Sequence, residues 1–197
     1  MKLEKFLPST PLTPFIREFL LIESDGEAGN KIIPDISLVM AFRYRGTVQT
    51  AVGEGKEVLP ASVVTGLRKS SRMVYYSRET SNLLVVFKEG GITALSGIPA
   101  HELFGLSVSS ENLFQPARLQ EVLQRLAEAT HNRERIDVME TFLLKNLIRG
   151  KQDLLIDHAV QLIQQNSGLV RIKDLAASLH ISQDPFEKRF RMLVGST

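Results

Sequence analysis

Residues 172–194 read IKDLAASLHISQDPFEKRFRMLV, and this stretch decides the fold of the C-terminal part of the chain. Apolar residues recur at helical spacing on both sides of a break at His180, which predicts two short helices joined by a tight turn. Ala176 offers a small side chain where the helices would approach most closely, and Ile181 would plug the turn. The pattern is typical of a helix-turn-helix unit.

The second of these helices should have two different faces. Ser182 is the expected N-cap, and Pro185 would be the third helical residue, so Ser182 is left with the amide of Asp184 to cap. The apolar residues would point to the core: Phe186, Phe190, Leu193 and Val194. The polar residues would face outward, where a major groove could lie: Gln183, Asp184, Glu187, Lys188 and Arg191.

This outward face carries groups that can read DNA. Lys188 and Arg191 can contact phosphates or guanine edges, Gln183 can pair with adenine, and Glu187 can accept a hydrogen bond from cytosine N4. Polarity alone would favour a merely solvated helix face. The turn pattern beside the helix favours DNA binding instead. Residues 151–197 contain six cations and five anions, so we expect one unit to bind DNA weakly and with poor specificity.

Residues 116–149 are predicted to form two helices, broken at His131 and Asn132, and Gly150 suits a C-terminal stop. One apolar stripe comprises Leu119, Val122, Leu123 and Leu126. The stripe can pack against a partner helix or against the chain's own core. A homodimer through these helices is predicted, because paired half-sites on DNA need paired readers, and packing within the chain remains an equal alternative. A further helical stripe follows: Ile156, Ala159, Val160 and Ile163.

The first 95 residues are rich in short β-branched and aromatic runs separated by Gly, Ser, Asn and charged turns. This texture predicts an antiparallel sandwich or small barrel, with most strands over about residues 30–90. Residues 14–22 are apolar and could form either a helix or a strand. The predicted fold class is α+β, with a β domain at 1–115, a helical connector at 116–150 and a helix-turn-helix unit at 151–197.

The C-terminal pattern resembles the first helix-turn-helix of AraC/XylS-type transcription regulators. The residues that carry this resemblance are Ile172-Lys173-Asp174-Leu175-Ala176, Leu179-His180-Ile181-Ser182, Phe186-Glu187-Lys188-Arg189-Phe190 and Val194-Gly195. Upstream motifs resemble the cupin-like N-terminal domain of many such regulators: Ile33-Pro34-Asp35, Val64-Thr65-Gly66, Phe87-Lys88-Glu89-Gly90-Gly91, Leu95-Ser96-Gly97-Ile98-Pro99 and Glu102-Leu103. The resemblance implies a sequence-specific regulator that binds DNA and, in some members, a small-molecule effector.

The chain departs from the family in two ways. His180 stands where the family usually has Gly, which implies a left-handed turn residue that is not glycine. Family members carry two helix-turn-helix units, whereas this sequence ends at Thr197. The resemblance therefore implies a fragment that lacks the second unit.

Other function classes find little support in the sequence. There is no Cys, and the four histidines (His101, His131, His158 and His180) have no metal-ligand spacing, so no metal, cofactor or catalytic residue is expected. No apolar run approaches the roughly 20 residues that span a bilayer, and Met1–Lys5 does not begin a signal peptide, so a cytoplasmic protein is expected. Two alternatives stay open. One is a stand-alone cupin-like ligand-binding protein with a structural helical tail, and the weaker one is an isomerase-type cupin enzyme.

A basic cluster at Arg68-Lys69-Ser70-Ser71-Arg72 could contact an anionic effector or DNA. The sequence favours a solvated hairpin turn for it.

Overall fold

The computed structural model describes residues 1–148 and 153–196. Gly150, the predicted helix stop, lies outside the described residues. The strands are β1 (Lys2–Phe6), β2 (Ile16–Ser24), β3 (Ala28–Ile32), β4 (Val39–Arg45), β5 (Val48–Val52), β6 (Gly55–Val58), β7 (Ser62–Thr65), β8 (Arg72–Tyr76), β9 (Thr80–Phe87) and β10 (Ser107–Ser109). The helices are α1 (Gly91–Ser96), α2 (Pro116–Glu128), α3 (Asn132–Asn146), α4 (Leu154–Gln165), α5 (Ile172–Ser178) and α6 (Gln183–Val194). Short 3-10 helices occupy Thr10–Leu12, Ala100–Leu103 and Ser110–Asn112.

Two antiparallel sheets form the N-terminal part of the chain. One sheet has the strand order β1-β2-β9-β4-β7-β10, and the other has the order β3-β8-β5-β6. Residues 14–22, left open by the sequence, contribute to strand β2. The predicted α+β class is confirmed, and the last strand of the described chain ends at Ser109, well before the helices of 116–146. The sheets begin at Lys2, earlier than the predicted region of about 30–90.

The larger sheet uses its two faces differently, because side chains alternate along a strand. On β4, Met40 and Phe42 are fully buried against the helices, and the Phe42 ring lies 5.7 Å from that of Phe142 on α3. Ala41 and Arg43 point the other way and line an internal cavity. One face therefore belongs to the main hydrophobic core and the other encloses the space between the sheets.

Helices α2 and α3 share the core of the β domain. Leu119 and Leu126 of α2 are buried together with Ile136 and Leu143 of α3 and the inner side chains of the larger sheet. The α2 stripe is thus covered within the chain and is not available to a partner helix. Homodimerisation stays a prediction, but it would have to use another surface.

Helices α4, α5 and α6 form a second, smaller core. Its fully buried members are Ile156, Ala159, Leu175, Ala176 and Phe186. The predicted stripe on α4 is confirmed, since Ile156 and Ala159 are buried and Val160 and Ile163 pack against the same cluster. The small residue predicted at the helix crossing, Ala176, is 2% exposed.

Candidate nucleic-acid interface and internal cavity

The turn between α5 and α6 has the geometry that the sequence predicts. His180 adopts a left-handed conformation with φ 54°, the conformation implied where the resembling family has glycine. The Ile181 amide then donates to the Ala176 carbonyl at 3.1 Å, which closes the turn onto the C-terminal end of α5. Gly195 ends α6 with φ 99°, and its amide donates to Arg191.

Ser182 is the N-cap residue of α6, as predicted, but the predicted side-chain bond to Asp184 is wrong. Its hydroxyl makes no capping hydrogen bond, and only its carbonyl accepts, from the Phe186 amide at 3.2 Å. An N-cap side chain normally accepts from the second or third helical amide. Pro185 has no N–H at the third position, which removes one of the two available donors.

The two faces of α6 separate as expected. Phe186 is 2% exposed, and its ring lies 5.6 Å from that of Phe190, which is half-buried in the same core. The predicted DNA-reading residues share the opposite face. Four of them are exposed and Glu187 is half-buried: Gln183, Asp184, Glu187, Lys188 and Arg191. Their contacts with DNA stay a prediction.

Three cations and one side-chain amide of α6 differ in how free they are to contact DNA. Gln183 donates to the Glu187 carboxylate at 2.7 Å, an (i, i+4) pair that would have to open before either side chain read a base. Arg189 pairs with Asp153, whose other carboxylate oxygen accepts from the Ile156 amide at the start of α4. Arg189 thus ties α6 to α4. Lys188 and Arg191 are exposed and form no ion pair in the described chain, so they are the cations better placed for a phosphate.

Helix α6 also rests on the β domain. The Gly90 amide donates to the Leu193 carbonyl at 3.0 Å, and a methyl group at Gly195 would lie 3.3 Å from the Ala100 carbonyl oxygen. A groove runs between α6 and the 3-10 helix Ala100–Leu103, and its lining residues are His101, Asp184, Glu187, Lys188, Arg191 and Met192. A duplex that contacted the polar face of α6 in this arrangement would also meet the β domain at His101.

A second candidate site is a cavity of about 160 Å³ between the two sheets. Its walls are mostly aliphatic, with Val39, Ala41 and Val63 from the larger sheet facing Val48 and Val74 from the smaller one. Three arginines also line the cavity: Arg43, Arg68 and Arg72. The chain therefore places cationic groups inside a largely apolar space.

Arg68 and Arg72 converge on one hydroxyl group. Arg68 Nη2 donates to Ser107 Oγ at 3.0 Å, and Arg72 Nη1 donates to the same oxygen at 2.9 Å. Arg72 Nη2 also lies 3.3 Å from Thr65 Oγ1. Burial, and then the nearby charge of Arg68, lower the pKa of Arg72. Among residues 1–148 and 153–196, no carboxylate forms an ion pair with either guanidinium.

Further polar atoms at this cavity lack partners. The Nε atoms of Arg68 and Arg72 are buried without a hydrogen-bond partner in the described chain. Asn82 on β9 is 5% exposed, and its side-chain oxygen is also buried without a hydrogen-bond partner in the described chain. Asn82 pairs in register with Arg43 on β4, which donates to the Leu59 carbonyl at 2.9 Å. Buried polar atoms without partners are uncommon and call for a water or a ligand.

Comparison with known protein families decides where the β domain belongs. The model of a domain of unknown function, DUF6597, matches residues 4–109, from the first strand to the last. The chain belongs to the DUF6597 family. None of the curated proteins matches it significantly.

Several solved structures resemble this DUF6597 protein at low identity. A lysine-to-alanine variant of apo ToxT from Vibrio cholerae strain SCE256 is 13% identical over 91% of this chain and 76% of its own, with a TM-score of 0.43. The AraC-like transcriptional activator CuxR is 11% identical over 96% and 80%, with a TM-score of 0.32. A cupin-2 domain protein from Shewanella frigidimarina NCIMB 400 is 16% identical over 43% and 78%, with a TM-score of 0.30.

The sequence misplaced one feature of the DUF6597 domain, its basic cluster. The favoured solvated turn is wrong for Arg68 and Arg72, which are half-buried and line the cavity, while Lys69 is exposed. A usable signal was present in β8, where Arg72, Val74 and Tyr76 share one face at period two. The partner Ser107 lies 35 residues from Arg72, and no local sequence pattern predicts that contact.

No helix in residues 1–148 and 153–196 is long and apolar enough to cross a membrane. The same residues contain no cluster of three His, Asp or Glu side chains that could hold a metal ion.

Proposed function

We propose that the chain is an effector-responsive transcription regulator of the AraC/XylS type, in which α6 reads DNA. The observation that carries the proposal is the helix-turn-helix geometry of α5 and α6, with a left-handed His180 at the turn and a buried Ala176 at the crossing. The exposed polar face of α6 supports it, because a recognition helix presents such a face to the major groove.

The β domain would sense a small molecule in this proposal. The cavity between the sheets supports that role, since a ligand pocket is typically apolar with a few placed polar groups. No catalytic step is assigned to the chain. In this proposal the regulator acts in the cytoplasm. A homodimer would present two copies of α6 to two half-sites on DNA.

The second candidate function is a ligand-binding protein in which α4, α5 and α6 form a structural tail. One observation favours it: the Gly90 amide of the β domain donates a hydrogen bond to the Leu193 carbonyl of α6. Under this alternative the chain would bind a cavity ligand but no DNA.

Duplex binding by the chain separates the two functions. We expect fluorescence anisotropy with a labelled duplex of mixed sequence to give a Kd of about 10⁻⁴–10⁻⁶ M at physiological salt, strengthening steeply as salt falls. One reading helix makes few base contacts, so different sequences should differ little. Absence of binding even at low salt would favour the structural tail. Nanomolar, sequence-specific binding at physiological salt would contradict DNA recognition by a single helix-turn-helix unit.

A further inference from the structure

We propose that the cavity between the sheets binds a small organic carboxylate with an apolar body, and that Arg68 and Arg72 hold its carboxylate group. The proposal deepens the sensing role proposed above and rests on it for its biological purpose. Its evidence, however, lies entirely in the cavity. Three features carry it: an uncompensated positive charge, free hydrogen-bond donors, and the shape and polarity of the walls.

The cavity carries positive charge that the described residues do not neutralise. Two guanidinium groups lie within 3.0 Å of the same Ser107 oxygen, and each is always protonated. Such a like-charge pair is unfavourable in a partly buried site unless an anion is added. Asp35 also lines the cavity, but it is exposed and accepts from the amide of Ile36 at 2.7 Å. No described carboxylate forms an ion pair with these arginines, so the site lacks one negative charge.

The donors indicate what kind of anion fits. A guanidinium binds a carboxylate through two parallel N–H groups, often Nε together with one Nη. The Nε atoms of Arg68 and Arg72 are both buried and without partners in the described residues, whereas Arg72 directs its Nη atoms to Ser107 and Thr65. A carboxylate that displaced Ser107 as the common acceptor would offer two oxygens to guanidinium groups that have no ion-pair partner among the described residues.

The walls indicate the rest of the ligand. Val63, Val74 and Leu84 line the cavity beyond the arginines, and its volume of about 160 Å³ resembles that of apolar cavities that hold benzene, near 150 Å³. The body should thus be an aromatic ring or an aliphatic group of similar size. A bulky or doubly charged ligand would not match this space.

The far end of the cavity is polar again. Thr65 pairs with Val39 and Asn82 pairs with Arg43, on opposite sides of β4, so the two polar ends are separated by about 13 Å along β4 and also by the width of that strand. The unpartnered side-chain oxygen of Asn82 can accept from a hydroxyl group. A single aromatic ring held at Arg68 and Arg72 does not span this separation, so a ring hydroxyl opposite the carboxylate should add little to binding.

The test is calorimetric titration of the full chain with benzoate, 4-hydroxybenzoate, benzyl alcohol and inorganic phosphate. We expect both carboxylates to bind with similar affinity. The neutral alcohol and phosphate should bind at least about tenfold more weakly, because benzyl alcohol lacks the anionic group and phosphate lacks the apolar body. Binding by neither carboxylate, equal binding of benzyl alcohol, or stronger binding of phosphate would overturn the proposal.

Two variants and a control locate the site. Arg72→Gln should weaken benzoate binding by about 10- to 100-fold, through loss of a charge-assisted bidentate contact. Ala41→Leu should abolish benzoate binding, because the larger side chain fills the cavity while both arginines stay in place. Arg78→Gln, at an exposed position of the same domain, should bind as the unchanged chain does. Unchanged binding by folded Arg72→Gln or Ala41→Leu would place the ligand elsewhere.

The DNA measurement is independent of this one. Carboxylate binding without DNA binding would leave the cavity proposal standing and remove the regulator. DNA binding without carboxylate binding would leave the regulator proposal standing and remove the cavity proposal.

Discussion

Replacing Phe186 by alanine should unfold the unit formed by α4, α5 and α6. Phe186 is 2% exposed and sits at the centre of this small core, beside Ala176 and Ile156. Truncating a buried phenylalanine typically costs about 3–5 kcal/mol, a large share of the total stability of a small domain. Amide hydrogen exchange of α4–α6 should show protection lost in this unit, while the β domain keeps its own.

Met192→Ala is the matched control for this prediction, because Met192 lies on the same helix and is 39% exposed. It should leave the exchange pattern almost unchanged. Phe190→Ala should have a smaller effect than Phe186→Ala, since Phe190 is only half-buried. A Phe186→Ala unit as protected as the unchanged one would mean that these helices do not depend on their common core.

The second large effect is expected at Phe142 on α3. Its ring packs edge-on against Phe42 of β4, at 5.7 Å, and against Phe114, at 5.4 Å. Phe142→Ala removes both aromatic contacts and leaves a cavity between the helices and the larger sheet. The free energy of unfolding of the β domain should fall by about 3–5 kcal/mol.

Urea denaturation followed by far-UV circular dichroism measures that loss. Leu144→Ala is the control on the same helix, because Leu144 is 42% exposed, and it should change stability by less than about 0.5 kcal/mol. Similar midpoints for the two variants would show that α3 contributes little to the β domain and acts as a connector only.

The C-terminal unit was the part of the chain best predicted from sequence. Its features are local: a small residue at the crossing, an apolar plug at Ile181 and a left-handed turn at His180 all lie within one short stretch. The bond from the Asp184 amide to the Ser182 side chain is the detail that failed, and the missing N–H of Pro185 does not account for it. Local patterns thus predicted the turn and the helix crossing but not this capping hydrogen bond.

The β domain shows where sequence reasoning stops. Alternation along the strands predicted an antiparallel fold, but the cavity depends on contacts between distant segments, such as Arg72 with Ser107. The apolar stripe of α2 has the same spacing whether it meets a partner helix or the chain's own sheet. Burial of Leu119 and Leu126 in the common core decides that question, and no helical periodicity could have done so.

Duplex binding by Lys188→Ala and Arg191→Ala, compared with the unchanged chain at two salt concentrations, tests most directly whether α6 reads DNA. Each loss of a phosphate contact should weaken binding to all sequences and lower the salt slope by about 1, whereas a lost base contact should cost about 1–3 kcal/mol on a preferred sequence only. Arg125→Ala, which removes an exposed cation from α2, should change neither quantity appreciably. If both α6 variants stay folded and bind DNA as the unchanged chain does, α6 does not read DNA and the proposed function is wrong.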